Sequence, residues 1–126
     1  MNDTEFDNLI TRAMNELPQK YIEGLDNVAI VMADEPSPEQ SYKMKLDNQH
    51  LLQGLYEGIP LTKRGSGYNL VLPDKITLFK NSILAVSHDK SELFEQIKRT
   101  LWHEIAHYYG LDHDRIDQIQ HTNRES

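Results

Sequence analysis

Residues 93–110 of this 126-residue chain read LFEQIKRTLWHEIAHYYG, and this stretch decides the fold. Apolar side chains recur in it at helical spacing, which predicts a long helix that buries one face. The members of this apolar stripe are Leu93, Phe94, Ile97, Leu101, Ile105 and Tyr108. Asp89 or Ser91 is the expected N-cap of the helix, and Gly110 is its expected stop. The sequence therefore places its clearest element close to the C-terminus.

The segments that precede this helix predict a second helix and a small sheet. Thr4 is the expected N-cap of an N-terminal helix, whose apolar face carries Phe6, Leu9, Ile10, Ala13, Met14 and Leu17. Residues 28–33 form a β-branched run that is typical of a strand covered on both faces. Residues 75–79 alternate as a strand, and residues 51–56 are a weaker strand candidate. The remaining segments are interpreted as loops or short elements: residues 34–50, 63–67 and 83–86. The order predicts an α+β fold with helices packed on a small mixed sheet.

Length and composition limit the classes of protein that this chain can represent. Its length predicts a single domain, residues 1–126. The net charge of −7 argues against nucleic-acid binding, which needs a dense basic surface. The chain has no cysteine, so disulfides, thiolate metal sites and a cysteine nucleophile are excluded. The apolar runs are too short to span a membrane, and the first residues are acidic where a signal peptide is basic. We therefore predict a soluble cytoplasmic protein.

The predicted C-terminal helix carries the pattern His-Glu-x-x-His. His103 and His107 are four residues apart, so their rings lie one turn above each other and can converge on one ion. Both histidines point away from the apolar stripe, which leaves them for a cleft. Glu104 lies beside the pair, where a general base would reach a water molecule on the ion without coordinating the ion itself. The pattern predicts a metal site.

A third ligand is expected after the turn at Gly110. His113 has the matching spacing and supplies nitrogen, whereas Asp112 and Asp114 are chemically acceptable alternatives. Three imidazoles suit one Zn2+ ion and leave a fourth position for water, although nickel or cobalt would also be compatible. Zinc lowers the pKa of that water to about 7, so that hydroxide can attack a carbonyl while Glu104 moves the proton.

Other interpretations compete with a catalytic zinc site. The two histidines could lie on a solvated face beside Gln96, Arg99 and Thr100. A zinc ion could also serve structure alone, in a module that binds a protein partner. Glu104 favours the enzyme, because a structural site gains nothing obvious from a base beside an open coordination position.

Several further residues are expected to have no role in the site. The remaining histidines, His50, His88 and His121, lack partners at ligand spacing and are predicted to be surface residues. Of these, only His121, which lies downstream of the motif, is kept as an alternative candidate for a group on the substrate side. Tyr108 is predicted to pack in the core. For Tyr109, packing is favoured over a role in stabilising an oxyanion, and for Arg64 a solvated loop charge is favoured over a contact with a peptide carboxylate.

The motifs together resemble those of a known family. The extended histidine pattern is similar to that of the metzincins, which carry a Met-turn downstream of the third ligand, but the methionines here are residues 1, 14, 32 and 44, all upstream. The whole chain, from about Phe6 to Ile116, resembles instead the short bacterial zincin-like family of predicted zinc-dependent proteases. The shared segments are LQGLYEGIPLT at 52–62, LPDKITLF at 72–79 and the His-Glu-x-x-His helix.

The resemblance implies a compact zincin-like domain with helices on a small mixed sheet. It also implies a zinc-dependent peptidase that acts on peptides or proteins and binds its substrate as an extended strand along the sheet edge. Many relatives have aspartate at the third-ligand position, where this chain has His113. A small core offers only a shallow groove, so we expect short or flexible substrates, or a protein partner that completes the cleft.

Overall fold

A computed structural model describes residues 1–43, 52–63 and 73–111 of the chain. Within these ranges the helices pack on a mixed sheet, as the sequence predicts. The strands are β1 (Val28–Ala33), β2 (Gly54–Glu57) and β3 (Asp74–Phe79). The helices are α1 (Asp3–Glu16), α2 (Gln19–Glu23), α3 (Pro38–Lys43), α4 (Lys80–Ala85) and α5 (Lys90–Tyr109), with a 3-10 turn at Leu61–Lys63.

The sheet has the order β1-β3-β2 in the described part of the chain. β1 runs parallel to β3, and β2 runs antiparallel to it. β3 is the central strand, and its residues Ile76, Leu78 and Phe79 are completely buried. Among the described strands, β1 and β2 therefore lie at the two edges of the sheet.

The position of β1 corrects one prediction. The strand has the predicted bounds, but it is not covered on both faces: most of its residues are half-buried, and Val31 is 38% exposed. A β-branched run predicts that a strand forms, but whether other elements cover both of its faces depends on the rest of the fold. Residues 80–85 form the helix α4. This helix overlaps residues 83–86, one of the segments that the sequence predicts to be loops or short elements.

The N-terminal helix forms with the predicted apolar face. Phe6, Ile10 and Ala13 are buried where α1 packs on α5. Its N-cap is Asn2, whose side chain accepts a hydrogen bond of 2.8 Å from the Glu5 amide, and not Thr4 as predicted. Both residue types cap helices well, so the sequence pattern alone does not distinguish them.

The helix α5 begins and ends as predicted. The Asp89 side chain accepts a hydrogen bond of 2.8 Å from the Glu92 amide. At the other end Gly110 adopts φ 76°, and the amides of Gly110 and Leu111 donate to the carbonyls of His107 and Ala106. These are the two bonds of a Schellman motif, which favours glycine. Every residue of the apolar stripe is buried, and α5 also contacts β2. No helix among the described residues is long and apolar enough to cross a membrane.

Candidate metal centre

The last two turns of α5 bring His103, Glu104 and His107 together. The two imidazole rings lie edge to face, with their centroids 4.5 Å apart. One ligand atom from each of the three side chains lies within 4.8 Å of the others. Both histidines are half-buried, whereas Glu104 is buried with 6% of its surface exposed. The cluster is therefore compact enough to hold one metal ion.

Glu104 is fixed by two contacts of the same oxygen. Its Oε1 accepts a hydrogen bond of 3.0 Å from the Tyr56 amide on β2 and lies 3.3 Å from Nδ1 of His107. Glu104 makes no hydrogen bond through Oε2 to the described part of the chain. The carboxylate thus connects β2 to α5 through Oε1, and Oε2 is available for a chemical role.

The same contact sets the electrostatics of His107. Its hydrogen bond with Glu104 raises the pKa of His107 above the ordinary value of 6.5, burial opposes this rise, and the negative charge of Glu104 adds to it. A histidine whose Nδ1 bonds a carboxylate has a fixed tautomer and coordinates a metal through Nε2. The carboxylate therefore orients the ring of His107, which is one of the three residues that are close enough together to hold a metal ion.

A glycine allows the strand and the helix to approach this closely. A Cβ atom on Gly54 would lie 2.6 Å from Cγ2 of Thr100 and 3.2 Å from Cγ of Glu104. A side chain at this position would therefore force either Thr100 or β2 to shift. No role is predicted for Gly54 from the sequence, although a glycine inside a strand is a known signal of close backbone approach.

Tyr56 is anchored on its other side, which holds its amide in place. Its hydroxyl donates a hydrogen bond of 2.6 Å to Oδ2 of the buried Asp74, and its ring lies edge to face with Tyr108, 6.1 Å between centroids. The Tyr108 hydroxyl accepts from the Asp26 amide at 3.2 Å. The role of Tyr56 is not predictable from the sequence, because its backbone amide contacts a residue far along the chain.

The cluster opens onto a groove of about 420 Å³ between β2 and α5. One wall consists of Leu52, Gln53 and Gly54, and the other consists of Gln96, Arg99, Thr100, His103 and Glu104. The volume suits a short stretch of peptide better than a folded domain.

The family model for zincin-like metallopeptidases matches residues 25–122, which include the groove and the cluster. The chain belongs to this zincin-like family. A solved structure of a conserved hypothetical protein from Thermus thermophilus is similar to this zincin-like chain, with a TM-score of 0.57 and 23% sequence identity. The match covers 85% of this chain and 92% of that chain, and at this identity it supports the fold alone. No curated protein matches the chain significantly.

The donor chemistry of the cluster fits the zinc ion that a zincin-like protein implies. Two imidazoles one helical turn apart are typical zinc ligands, and a carboxylate beside them can act on the reaction without coordinating. The predicted third ligand, His113, lies outside the described residues, as do its alternatives Asp112 and Asp114. The described residues therefore contain two of the three predicted protein ligands.

The remaining candidates are surface or packing residues where the structure describes them. His88 is exposed and pairs with Glu92 at 3.0 Å, as expected of a surface residue. Tyr108 is buried in the core, as predicted. Tyr109 packs against the core, and its hydroxyl donates to the carbonyl of Tyr21. Burial raises the pKa of Tyr109. Three candidates lie outside the described residues: His50, Arg64 and His121.

Proposed function

We propose that this protein is a zinc-dependent peptidase that hydrolyses peptide bonds, with Glu104 as the general base. His103, His107 and His113 would hold one Zn2+ ion. The family match supports a metallopeptidase-like fold, and the geometry of the described cluster supports the first two ligands. His113 is proposed from its spacing, with Asp112 and Asp114 as the alternatives.

The burial and fixation of Glu104 carry this proposal. A buried carboxylate costs free energy unless it is hydrogen-bonded, and this one is held by the Tyr56 amide and by His107. A carboxylate that only oriented a ligand of a structural zinc site would not need a second oxygen that makes no hydrogen bond to the described part of the chain. A fixed carboxylate with one uncommitted oxygen is the arrangement that general-base catalysis requires.

The chemistry assigns a separate task to each oxygen of Glu104. When bound, zinc acts as a Lewis acid that polarises the substrate carbonyl and makes water acidic enough to be deprotonated near neutral pH. Oε1 keeps the carboxylate in position through the Tyr56 amide. Oε2 accepts the proton of the attacking water and then donates it to the leaving amine nitrogen. The proton balance closes, and Glu104 is regenerated as a carboxylate.

The edge of β2 that faces away from β3 is the proposed site of substrate binding. The Gln53 carbonyl accepts from the Phe79 amide on β3, and the Tyr56 amide turns to Glu104. Since hydrogen-bonding directions alternate along an antiparallel strand, the amide and carbonyl of Gly54 face away from β3. A peptide can pair with this edge in an extended conformation. The shallow groove favours short peptides or flexible segments of proteins as substrates.

Zinc binding is tested first, by metal analysis and zinc titration of the purified protein. We expect one ion per chain, and a loss of tight binding in His103→Ala, His107→Ala and His113→Ala. His88→Ala is the matched control, since that residue is an exposed histidine just before the N-cap of the same helix. Tight binding that survives loss of both His103 and His107 would contradict the proposed site.

Cleavage is then tested on a diverse peptide library and an unfolded protein, with mass spectrometry as the readout. Glu104→Gln keeps the shape of the side chain but removes its basicity, so we expect the rate to fall about 10²- to 10⁴-fold. If the wild-type protein binds one zinc ion and cleaves nothing, the peptidase proposal fails. The remaining function would be a non-catalytic zinc-binding module that interacts with a protein partner.

A further inference from the structure

The groove between β2 and α5 extends well beyond the histidines. Along α5 its wall runs back from His103 through Thr100 and Arg99 to Gln96, about two turns of helix. Opposite them lie residues 52–54. A substrate bound at the cluster would therefore lie against residues that take no part in the proposed chemistry.

Arg99 is the cation in this part of the groove, and its charge has no partner in the described part of the chain. It is exposed, and none of the hydrogen bonds or ion pairs of the described residues involves it. The other described arginine, Arg12, pairs with Glu16 at 3.6 Å. Acidic residues outnumber basic ones in the chain, 20 to 13, yet Arg99 pairs with none of those that the structure describes. Its charge is therefore well placed to bind an anionic group beside the cluster.

The strand direction determines which side of the substrate would meet Arg99. Residues 53 and 54 contact Thr100, while Tyr56 contacts Glu104, so β2 runs alongside α5 from the Arg99 end toward the catalytic end. Antiparallel pairing is the commoner arrangement, and a peptide that runs antiparallel to β2 has its C-terminal side at the Arg99 end.

We propose that Arg99 is a specificity residue that binds a substrate carboxylate on the C-terminal side of the cleaved bond. Arg99 precedes His103 by four residues, about 6 Å along the helix, and its side chain extends further. An extended peptide advances about 3.3 Å per residue, so the carboxylate lies within about three residues of the cleaved bond. Its source is the C-terminal carboxylate of a short peptide or the side chain of an aspartate or glutamate. This inference rests on the proposed function.

Three hydroxamate probes test this specificity, because a hydroxamate chelates zinc and binding can be measured without cleavage. Each is a succinyl hydroxamate extended by two residues: Leu-Ala with a free carboxylate, Leu-Glu with a terminal carboxamide, and Leu-Ala with a terminal carboxamide. Their dissociation constants for the zinc-loaded protein are measured by calorimetry. We expect at least one carboxylate probe to bind about 3- to 10-fold more tightly than the neutral probe, as for a partly exposed arginine pair. The tighter probe identifies the source of the carboxylate.

Substitutions assign the preference to Arg99. Arg99→Gln should make the three dissociation constants equal, and Arg99→Lys should retain part of the preference, because it keeps the charge but loses the planar two-pronged contact. Arg12→Gln is the matched control, since it removes the same charge outside the groove and should leave the preference intact. High salt should weaken it.

The outcomes distinguish a failure of the Arg99 proposal from a failure of the proposed function on which it rests. Equal binding of all three probes to the wild-type protein would overturn the role of Arg99 and leave the zinc site in place. A preference that survives in Arg99→Gln would also overturn it. If none of the probes binds, the zinc site itself is wrong, and the specificity proposal is wrong with it.

Discussion

The two edge strands of the sheet differ in almost every respect. β1 has six residues, is rich in β-branched side chains and pairs in parallel with β3 over its whole length. β2 has four residues, contains Gly54 and gives its Tyr56 amide to a side chain of α5. β1 has the stronger local preference for a strand, but β2 carries the contact to the candidate site.

This difference has a physical reason. A strand that only completes a sheet is stabilised by generic apolar packing, which β-branched residues supply well. A strand that must approach a helix closely needs a small residue, and it gives up local stability for that approach. Local propensity is therefore weakest where the molecule places its candidate functional groups.

Gly54→Ala should have the largest effect on the free energy of unfolding and on zinc binding. In most strand interiors this change stabilises a protein by about 0.5–1 kcal/mol. Here the added methyl group would lie 2.6 Å from Cγ2 of Thr100, so we expect the free energy of unfolding to fall by about 1–3 kcal/mol. The displacement of β2 should also break the bond between Tyr56 and Glu104 and weaken zinc binding. Urea unfolding and zinc titration measure the two effects.

A rescue and a control make this prediction specific. Thr100→Ser removes the methyl group that the new Cβ would meet, so the double variant should recover part of the lost stability. Val31→Thr on β1 changes an exposed residue of the other edge and should alter the free energy of unfolding by less than about 0.5 kcal/mol. If Gly54→Ala is neutral or stabilising, the close approach of β2 to α5 is wrong.

Tyr56→Phe should have the next largest effect. It removes the hydrogen bond to the buried carboxylate of Asp74, and the loss of a bond to a charged group costs about 1.5–3 kcal/mol. Zinc binding should weaken less than in Gly54→Ala, because the amide that holds Glu104 remains. Tyr42→Phe is the control, as that side chain is 87% exposed. Equal unfolding midpoints for the two variants would contradict the anchoring of β2 through Asp74.

Sequence alone could predict the elements whose signals are local. The apolar period, the cap at Asp89 and the stop at Gly110 all lie within or beside α5, and each was confirmed. The convergence of His103 and His107 follows from helix geometry and was equally predictable. The cap of α1 was wrong by two residues, because Asn2 and Thr4 are both suitable types.

The contacts that complete the candidate site depend on pairs of residues far apart in the chain. Glu104 is buried because β2 covers it, and no pattern in α5 reveals which strand does so. In the same way, the β-branched run of β1 predicts a strand but not its place at a sheet edge. Gly54 is the one local signal of a close approach to another element. Only the structure shows that this element is α5, with Thr100 opposite the glycine.

The smallest expected effect concerns the titration of His107. Its Nδ1 contacts the same Glu104 oxygen that accepts the hydrogen bond from β2. In the metal-free protein its pKa lies above 6.5, mainly because of the hydrogen bond with Glu104. Protonated His107 therefore stabilises the fold below the pKa of the unfolded chain, and this contribution is lost as the pH rises through the higher folded pKa. Glu104→Gln removes the negative charge and should lower the pKa of His107. Proton NMR of the imidazole ring against pH measures the shift, with His107→Gln to assign the resonance. An unchanged midpoint would contradict the contact with Glu104. Glu104 and His107 both lie on α5, so a shift would show that the two side chains are coupled within the helix.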